Sequence, residues 1–198
     1  MMRTSVDSQE SDQTLSQEGA RGPIRKPIAI TMGDPAGIGP EIILRALARA
    51  PETGLEGPFV VYGCPGWMEA VARRLGLNTG LLEVVPVTEV PEDLPVGQVS
   101  AAGGEAAFQA VYRAAQDAMA GKVRAVVTAP LSKAAMNLAG HVYPGHTEIL
   151  AEVGGNVPVR MMLANEELRT VLVSIHVPLG VAVSSLSTAG IVETIRLT

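Results

Sequence analysis

Residues 126–148 read VVTAPLSKAAMNLAGHVYPGHTE. Val126 and Val127 are β-branched and lie in an apolar run, the composition of an interior strand. The run breaks at Thr128-Ala129-Pro130, where Pro130 has no N–H to give to a ladder. A loop carrying Lys133, a short helix and a second loop presenting Gly145-His146-Thr147-Glu148 are expected to follow. A lysine, a histidine and a threonine thus come close behind the carboxyl end of a strand. Open α/β sheets bind their ligands in that crevice. Taken singly, Lys133 suits a solvated surface and His146 suits a structural or surface role.

Working outward, Ile28 to Met32 reads as a first strand, and Ile42 to Ala50 as a helix after the turn Gly33-Asp34-Pro35-Ala36-Gly37-Ile38-Gly39-Pro40-Glu41. Glycines between a strand and a helix let backbone amides approach an anion closely. The dinucleotide fingerprint nevertheless fails, because Gly37-x-Gly39 would need a third glycine where Ile42 stands. Nor is there a phosphate loop, since Gly121-Lys122 is followed by Val123. Two readings remain open: a tight strand-to-helix turn with Pro40 in the first helical turn, or a loop facing a ligand.

Phe59 to Gly63 reads as the second strand, Met68 to Leu75 as its helix, and Leu82 to Val87 as the third strand. Pro86, Pro91 and Pro95 punctuate an irregular connection. Ala107, Ala110, Val111, Ala114, Ala115 and Ala118 then recur at helical spacing within Ser100–Ala120, with Gly121 as C-cap. Beyond the central stretch, Pro158–Ala164 and Leu168–His176 look like paired strands around the turn Asn165-Glu166-Glu167. Val177-Pro178-Leu179 breaks the ladder, and Ala189–Leu197 begins another helix. Strands alternating with helices predict a parallel sheet covered on its faces.

Composition narrows the function classes. The formal net charge of −5 argues against a general nucleic-acid binder. Hydrophobic residues make up 47 % of the chain and aromatics only 3 %, so its core is aliphatic. Cys64 is the only cysteine, which excludes an intramolecular disulfide and a zinc site built from thiolates. No apolar run approaches a membrane span, and the first residues lack the apolar centre of a secretory signal, so a soluble cytoplasmic protein is expected. Met1 to Lys26, rich in Ser, Gln, Glu and Asp, reads as a disordered arm.

Three segments resemble one family. Thr128–Gly140 with PGHTE, ITMGDPAGIGPEI at Ile30–Ile42, and MMLANEELRTVLVSIHVPL at Met161–Leu179 are similar to the 4-hydroxythreonine-4-phosphate dehydrogenases of pyridoxal phosphate biosynthesis. The resemblance implies an isocitrate/isopropylmalate dehydrogenase-like, three-layer α/β/α fold with two domains and a cleft, incomplete here. It divides the chain into 27–128, part of the first α/β domain, and 129–198, part of a second carrying the substrate and metal loops. It implies NAD (or NADP) and a divalent metal (Zn, Mg or Co) as cofactors, a small phosphorylated hydroxy acid as substrate, and a homodimer, with no nucleic-acid or membrane partner.

Residue by residue, the resemblance makes His146 and Thr147 substrate-binding, Lys133 a pocket residue, and His176 the first of three metal-binding histidines. It assigns no catalytic and no cofactor-binding residue. His146 and His176 lie 30 positions apart, so their convergence comes from the fold. His141 falls on no functional position of the family and reads as a loop histidine. The family's chains continue well beyond Thr198, and IVETIRLT stops inside a helical pattern, so a fragment or truncated reading frame is expected. The implied activity is oxidation of 4-phospho-hydroxy-L-threonine. The alternatives are a dehydrogenase of erythronate or threonate 4-phosphate, and a catalytically inactive binding or dimerisation module.

Overall fold

The computed structural model describes residues 25–77 and 82–198. The arm read at residues 1–26 therefore lies outside the described residues but for its last two positions. In chain order the elements are β1 (Ile28–Thr31), α1 (Gly39–Ala48), α2 (Ala50–Thr53), β2 (Phe59–Gly63), α3 (Pro65–Leu75), β3 (Val84–Pro86), α4 (Ala101–Met119) and β4 (Ala125–Thr128). They continue with α5 (Lys133–Leu138), α6 (His146–Val153), β5 (Met162–Ala164), β6 (Arg169–Val171), α7 (Leu179–Ser185) and α8 (Thr188–Leu197).

Four strands form a parallel sheet in the order β3-β2-β1-β4, with Thr31 beside both Tyr62 and Thr128. Successive side chains of a strand face opposite ways, so each strand feeds two cores. Met32, Val61, Ile43, Leu44, Trp67, Met68 and Val71 pack on the side of α1 and α3. Ala29, Val60, Tyr62, Ala110 and Ala114 pack on the side of α4. These are the three layers expected from the alternating pattern. Ser100 caps α4 by accepting from the Gly103 amide, 3.1 Å away.

The interior position expected for Val126-Val127 is not what the fold gives. β4 pairs only with β1 among the described residues, and Val127 is 52 % exposed while Val126 packs under α4. β-branched composition reports compatibility with a strand and says nothing of how many neighbours that strand has.

A buried acid fixes α4 to the sheet. Asp117 accepts from the Tyr62 hydroxyl at 2.9 Å, from Lys122 Nζ at 2.8 Å and from Arg113 Nε at 3.3 Å. The hydrogen bond from Lys122 leads in holding its carboxyl below the usual range, while burial pushes Tyr62 up to about 12. The folded pKa of Asp117 is depressed, so its contribution is present above the unfolded value and lost as pH falls through the folded one. For Tyr62 the neutral form is favoured by folding, so stability is lost as pH rises from its ordinary 10 towards about 12. Asp117→Asn is expected to cost about 2 kcal/mol in urea titrations near neutrality, and to flatten the acid limb of stability against pH. An unchanged acid limb would contradict this role.

The region after residue 154 is looser. β5 and β6 pair antiparallel over three residues each, shorter than the expected strands. The turn between them is as read: Asn165 Oδ1 accepts from the amides of Glu167 (2.9 Å) and Leu168 (2.6 Å). The second strand ends at Val171 instead of reaching His176, whose φ of 55° is incompatible with a strand. The break at Val177-Pro178-Leu179 leads into a helix the sequence did not announce, α7, with Pro178 at its N-cap, where a missing N–H costs nothing. Leu163, Leu168, Leu179, Val183 and Ile195 are all exposed there. Among the described residues no helix is long and apolar enough to cross a membrane.

Candidate substrate-anchoring site

The site lies where β1 and β4 end side by side. The chain leaves β1 through Gly33-Asp34-Pro35-Ala36, all buried, and leaves β4 through Ala129-Pro130. The two exits interlock. Asp34 N donates to Pro130 O at 3.0 Å, and a Cβ on Gly33 would fall 2.3 Å from that same oxygen. Gly33 also has φ +72°, which glycine adopts without strain.

Pro40 stands in the first turn of α1, as the tight-turn reading has it. Ala36 N donates to Asp34 Oδ1 at 2.9 Å and Gly37 N to Asp34 O at 3.0 Å. With those amides committed, the first half of the turn is a packed connection between strand and helix. Only Gly37 and Ile38 are exposed. The Asp34 carboxyl is raised above its usual range by burial, which the Ala36 amide partly offsets.

The exit from β4 opens outward. Ser132 caps α5 by accepting from Ala135 N at 3.2 Å, so Lys133 stands in the first turn of a helix. The expected loop at Gly145-His146-Thr147-Glu148 is also helical: Gly145 is the N-cap, and the next three residues form the first turn of α6. Gly145 has no side chain to cap with, so the amides of that turn receive no side-chain acceptor from it. A Cβ on Gly145 would lie 3.6 Å from a Glu148 carboxylate oxygen and 4.0 Å from Lys133 Cε. Lys133 thus reaches the mouth of α6.

His146 is half-buried, and its Nε2 is fully enclosed without a hydrogen-bond partner. Burial lowers its pKa below 6.5, with the Ala129 backbone pulling the other way, so the imidazole is neutral at pH 7. Thr31 Oγ1, at the end of β1, is likewise buried without a partner. An uncapped helix start, an ammonium group and a hydroxyl are donors suited to a phosphate or carboxylate. The Glu148 carboxylate in the same turn opposes an anion and narrows where one can sit.

The structure therefore places the Lys133 side chain beside Gly145, the residue that precedes His146 and Thr147 in α6. It leaves His176 exposed in the bend before α7, with no metal-holding group of three or more His, Cys, Asp or Glu among the described residues. Sequence reasoning missed Glu148 and the carboxylate Glu105, whose Oε2 lies 2.6 Å from His141 Nε2. No local signal marks that pair, which is 36 positions apart. A cleft of about 530 Å³ along α3, lined by Trp67, Arg73 and Glu92 among others, touches none of these residues.

Comparison with known proteins follows the same lines. The family described as "Pyridoxal phosphate biosynthetic protein PdxA" matches residues 42–198. A 4-hydroxythreonine-4-phosphate dehydrogenase of Beijerinckia indica is 42 % identical over 186 residues, covering 86 % of this chain and 54 % of the relative. A D-threonate 4-phosphate dehydrogenase of Salmonella typhimurium is also 42 % identical, covering 86 % and 56 %. The crystal structure of a 4-hydroxythreonine-4-phosphate dehydrogenase from Burkholderia phymatum superposes with a TM-score of 0.78 at 35 % identity, covering 86 % of this chain and 56 % of that one. The chain spans about half the length of the curated relatives it matches.

Proposed function

The chain belongs to the PdxA family, and from that premise we propose that it forms the phosphate-holding part of a dehydrogenase acting on a phosphorylated hydroxy acid. The observation that supports the reading is the reach of Lys133 to Gly145 at the uncapped start of α6, the helix that opens with His146 and Thr147. We assign 4-phospho-hydroxy-L-threonine as the substrate. Threonate 4-phosphate is the second candidate, because a relative of equal identity is named for it. Both carry the phosphate and carboxylate that the site's donors suit.

Oxidising the hydroxyl of such a substrate takes a hydride acceptor and a group that favours loss of the alcohol proton. We assign NAD or NADP to the first task, and a divalent zinc, magnesium or cobalt ion with His176 among its ligands to the second. The described residues do not fit either group by themselves. The turn after β1 lacks the third glycine of the dinucleotide fingerprint, and no group of three or more metal-ligating side chains stands around His176 among the described residues. The part derived for this chain is to bind and orient: Lys133 and the α6 amides on the anion, Thr147 as a hydroxyl donor, and neutral His146 as a hydrogen-bond partner.

The division at residue 128 belongs to the same proposal, with α5 and α6 of the second part leaning on α4 of the first. So does a homodimer, which the exposed Leu163, Leu168, Leu179, Val183 and Ile195 support as an apolar face to be covered.

The test is calorimetric titration of the chain with 4-phospho-hydroxy-L-threonine and with threonate 4-phosphate, before and after Thr147→Val. Saturable binding of at least one, weakened about tenfold by losing the hydroxyl, is expected. No binding of either would overturn the reading.

A further inference from the structure

We propose that Glu105 and His141 are positioning residues that hold the first turn of α6, and with it His146 and Thr147, at the carboxyl end of the sheet. The consequence for ligand binding rests on the function proposed above; the positioning itself does not.

The segment between α5 and α6 has little to fix it. Its backbone contributes Gly140 N to Asn137 O at 3.0 Å and His141 N to Met136 O at 2.9 Å, and Val142 is 80 % exposed. What anchors it is side chains on α4. His141 Nε2 lies 2.6 Å from Glu105 Oε2, and its ring stacks on Phe108 with centroids 3.7 Å apart and planes 11° from parallel. Gln109 Nε2, one turn along, donates to the other Glu105 oxygen at 2.8 Å. Glu105, Phe108 and Tyr112 share a face of α4 by their helical spacing, and the Tyr112 ring stands 5.4 Å from Phe108.

The same platform holds α6. Tyr143 stacks at 5.7 Å on Phe108 and donates through its hydroxyl to Glu152 of α6 at 2.8 Å. Ile149 of α6, 1 % exposed, packs with Phe108, Val111 and Met136. Phe108 is thus the common floor of the connecting loop and of the helix that carries His146. Along the loop His141 stands at the α5 end and Tyr143 towards α6, both on Phe108, so the Glu105–His141 contact fixes where the loop sets out for Gly145. Glu105 and His141 are both partly exposed, so the pair acts through its geometry and the stack more than through charge.

Amide hydrogen exchange and imidazole NMR on the 198-residue chain test this without any ligand. Glu105→Ala removes the partner, and His141→Phe keeps the stack but removes the ring nitrogen. Both are expected to raise exchange at residues 141–148 about tenfold over β1 and α3. Both should also move the His146 titration up towards its ordinary 6.5 as the turn opens to water. Glu105→Gln keeps a hydrogen-bonding group and should restore the wild-type pattern. Unchanged exchange and titration, or a rise shared equally by β1 and α3, would overturn the positioning role. Threonate 4-phosphate binding separates the two claims. A wild-type chain that fails to bind it refutes the site reading and leaves the exchange result standing. Tight binding undiminished in Glu105→Ala refutes the inferred consequence.

Discussion

A chain carrying Gly104→Val is expected to lose about 3 kcal/mol of stability or fail to fold, the largest effect of any single change considered. Gly104 lies inside α4, where glycine ordinarily costs up to about 1 kcal/mol against alanine. It is there because α5 crosses directly over it. A Cβ at this position would stand 2.0 Å from Ala135 O and 2.5 Å from Met136 N, both backbone atoms of α5. A side chain could be admitted only by lifting α5, and Lys133 with it. Even Gly104→Ala should therefore destabilise, against its helix propensity. Gly66→Ala in α3 is the control, since nothing lies within 4 Å of the added Cβ. It should be neutral or stabilise by up to about 1 kcal/mol. Urea midpoints of the three variants measure this, and a stabilised Gly104→Ala would contradict the packing account.

The second large effect falls on binding. Lys133→Met and His146→Ala are each expected to weaken a phosphorylated hydroxy acid roughly 10- to 100-fold, the size of one charged or buried hydrogen bond of about 1.5–3 kcal/mol. Lys133→Met should also flatten the salt dependence of binding, because it removes a screened charge. His146→Ala should leave that dependence intact, since its imidazole is neutral at pH 7. Equal salt dependence in the two variants would show that the roles are wrongly divided.

Much of the sheet was legible because its signals are local. The span Phe59–Gly63 was read to the residue, and Ser100 to Ala120 brackets α4 with its cap. Four other features lacked a local signal that could settle them. β4 looked interior because its valines suit any strand. α6 looked like a loop because Pro144-Gly145 gives none of the usual Ser, Thr or Asp start signals. The buried state of Gly33–Ala36 depends on Pro130, nearly a hundred positions on. His141 read as an ordinary loop histidine, and the carboxylate that holds it lies on another helix.

The site residues had a different origin. Lys133, His146, Thr147 and His176 came from resemblance to a family and not from spacing. The geometry sets Lys133 beside Gly145 at the start of α6 and leaves His176 in its exposed bend.

The most direct test of the central claim is a two-dimensional NMR titration of the unaltered chain with 4-phospho-hydroxy-L-threonine. The account expects saturable shifts at the His146 and Thr147 amides, the His146 imidazole and the Lys133 ammonium group, with α3 undisturbed. Saturable shifts confined to the cleft by Trp67 and Arg73, or none at all, would contradict it.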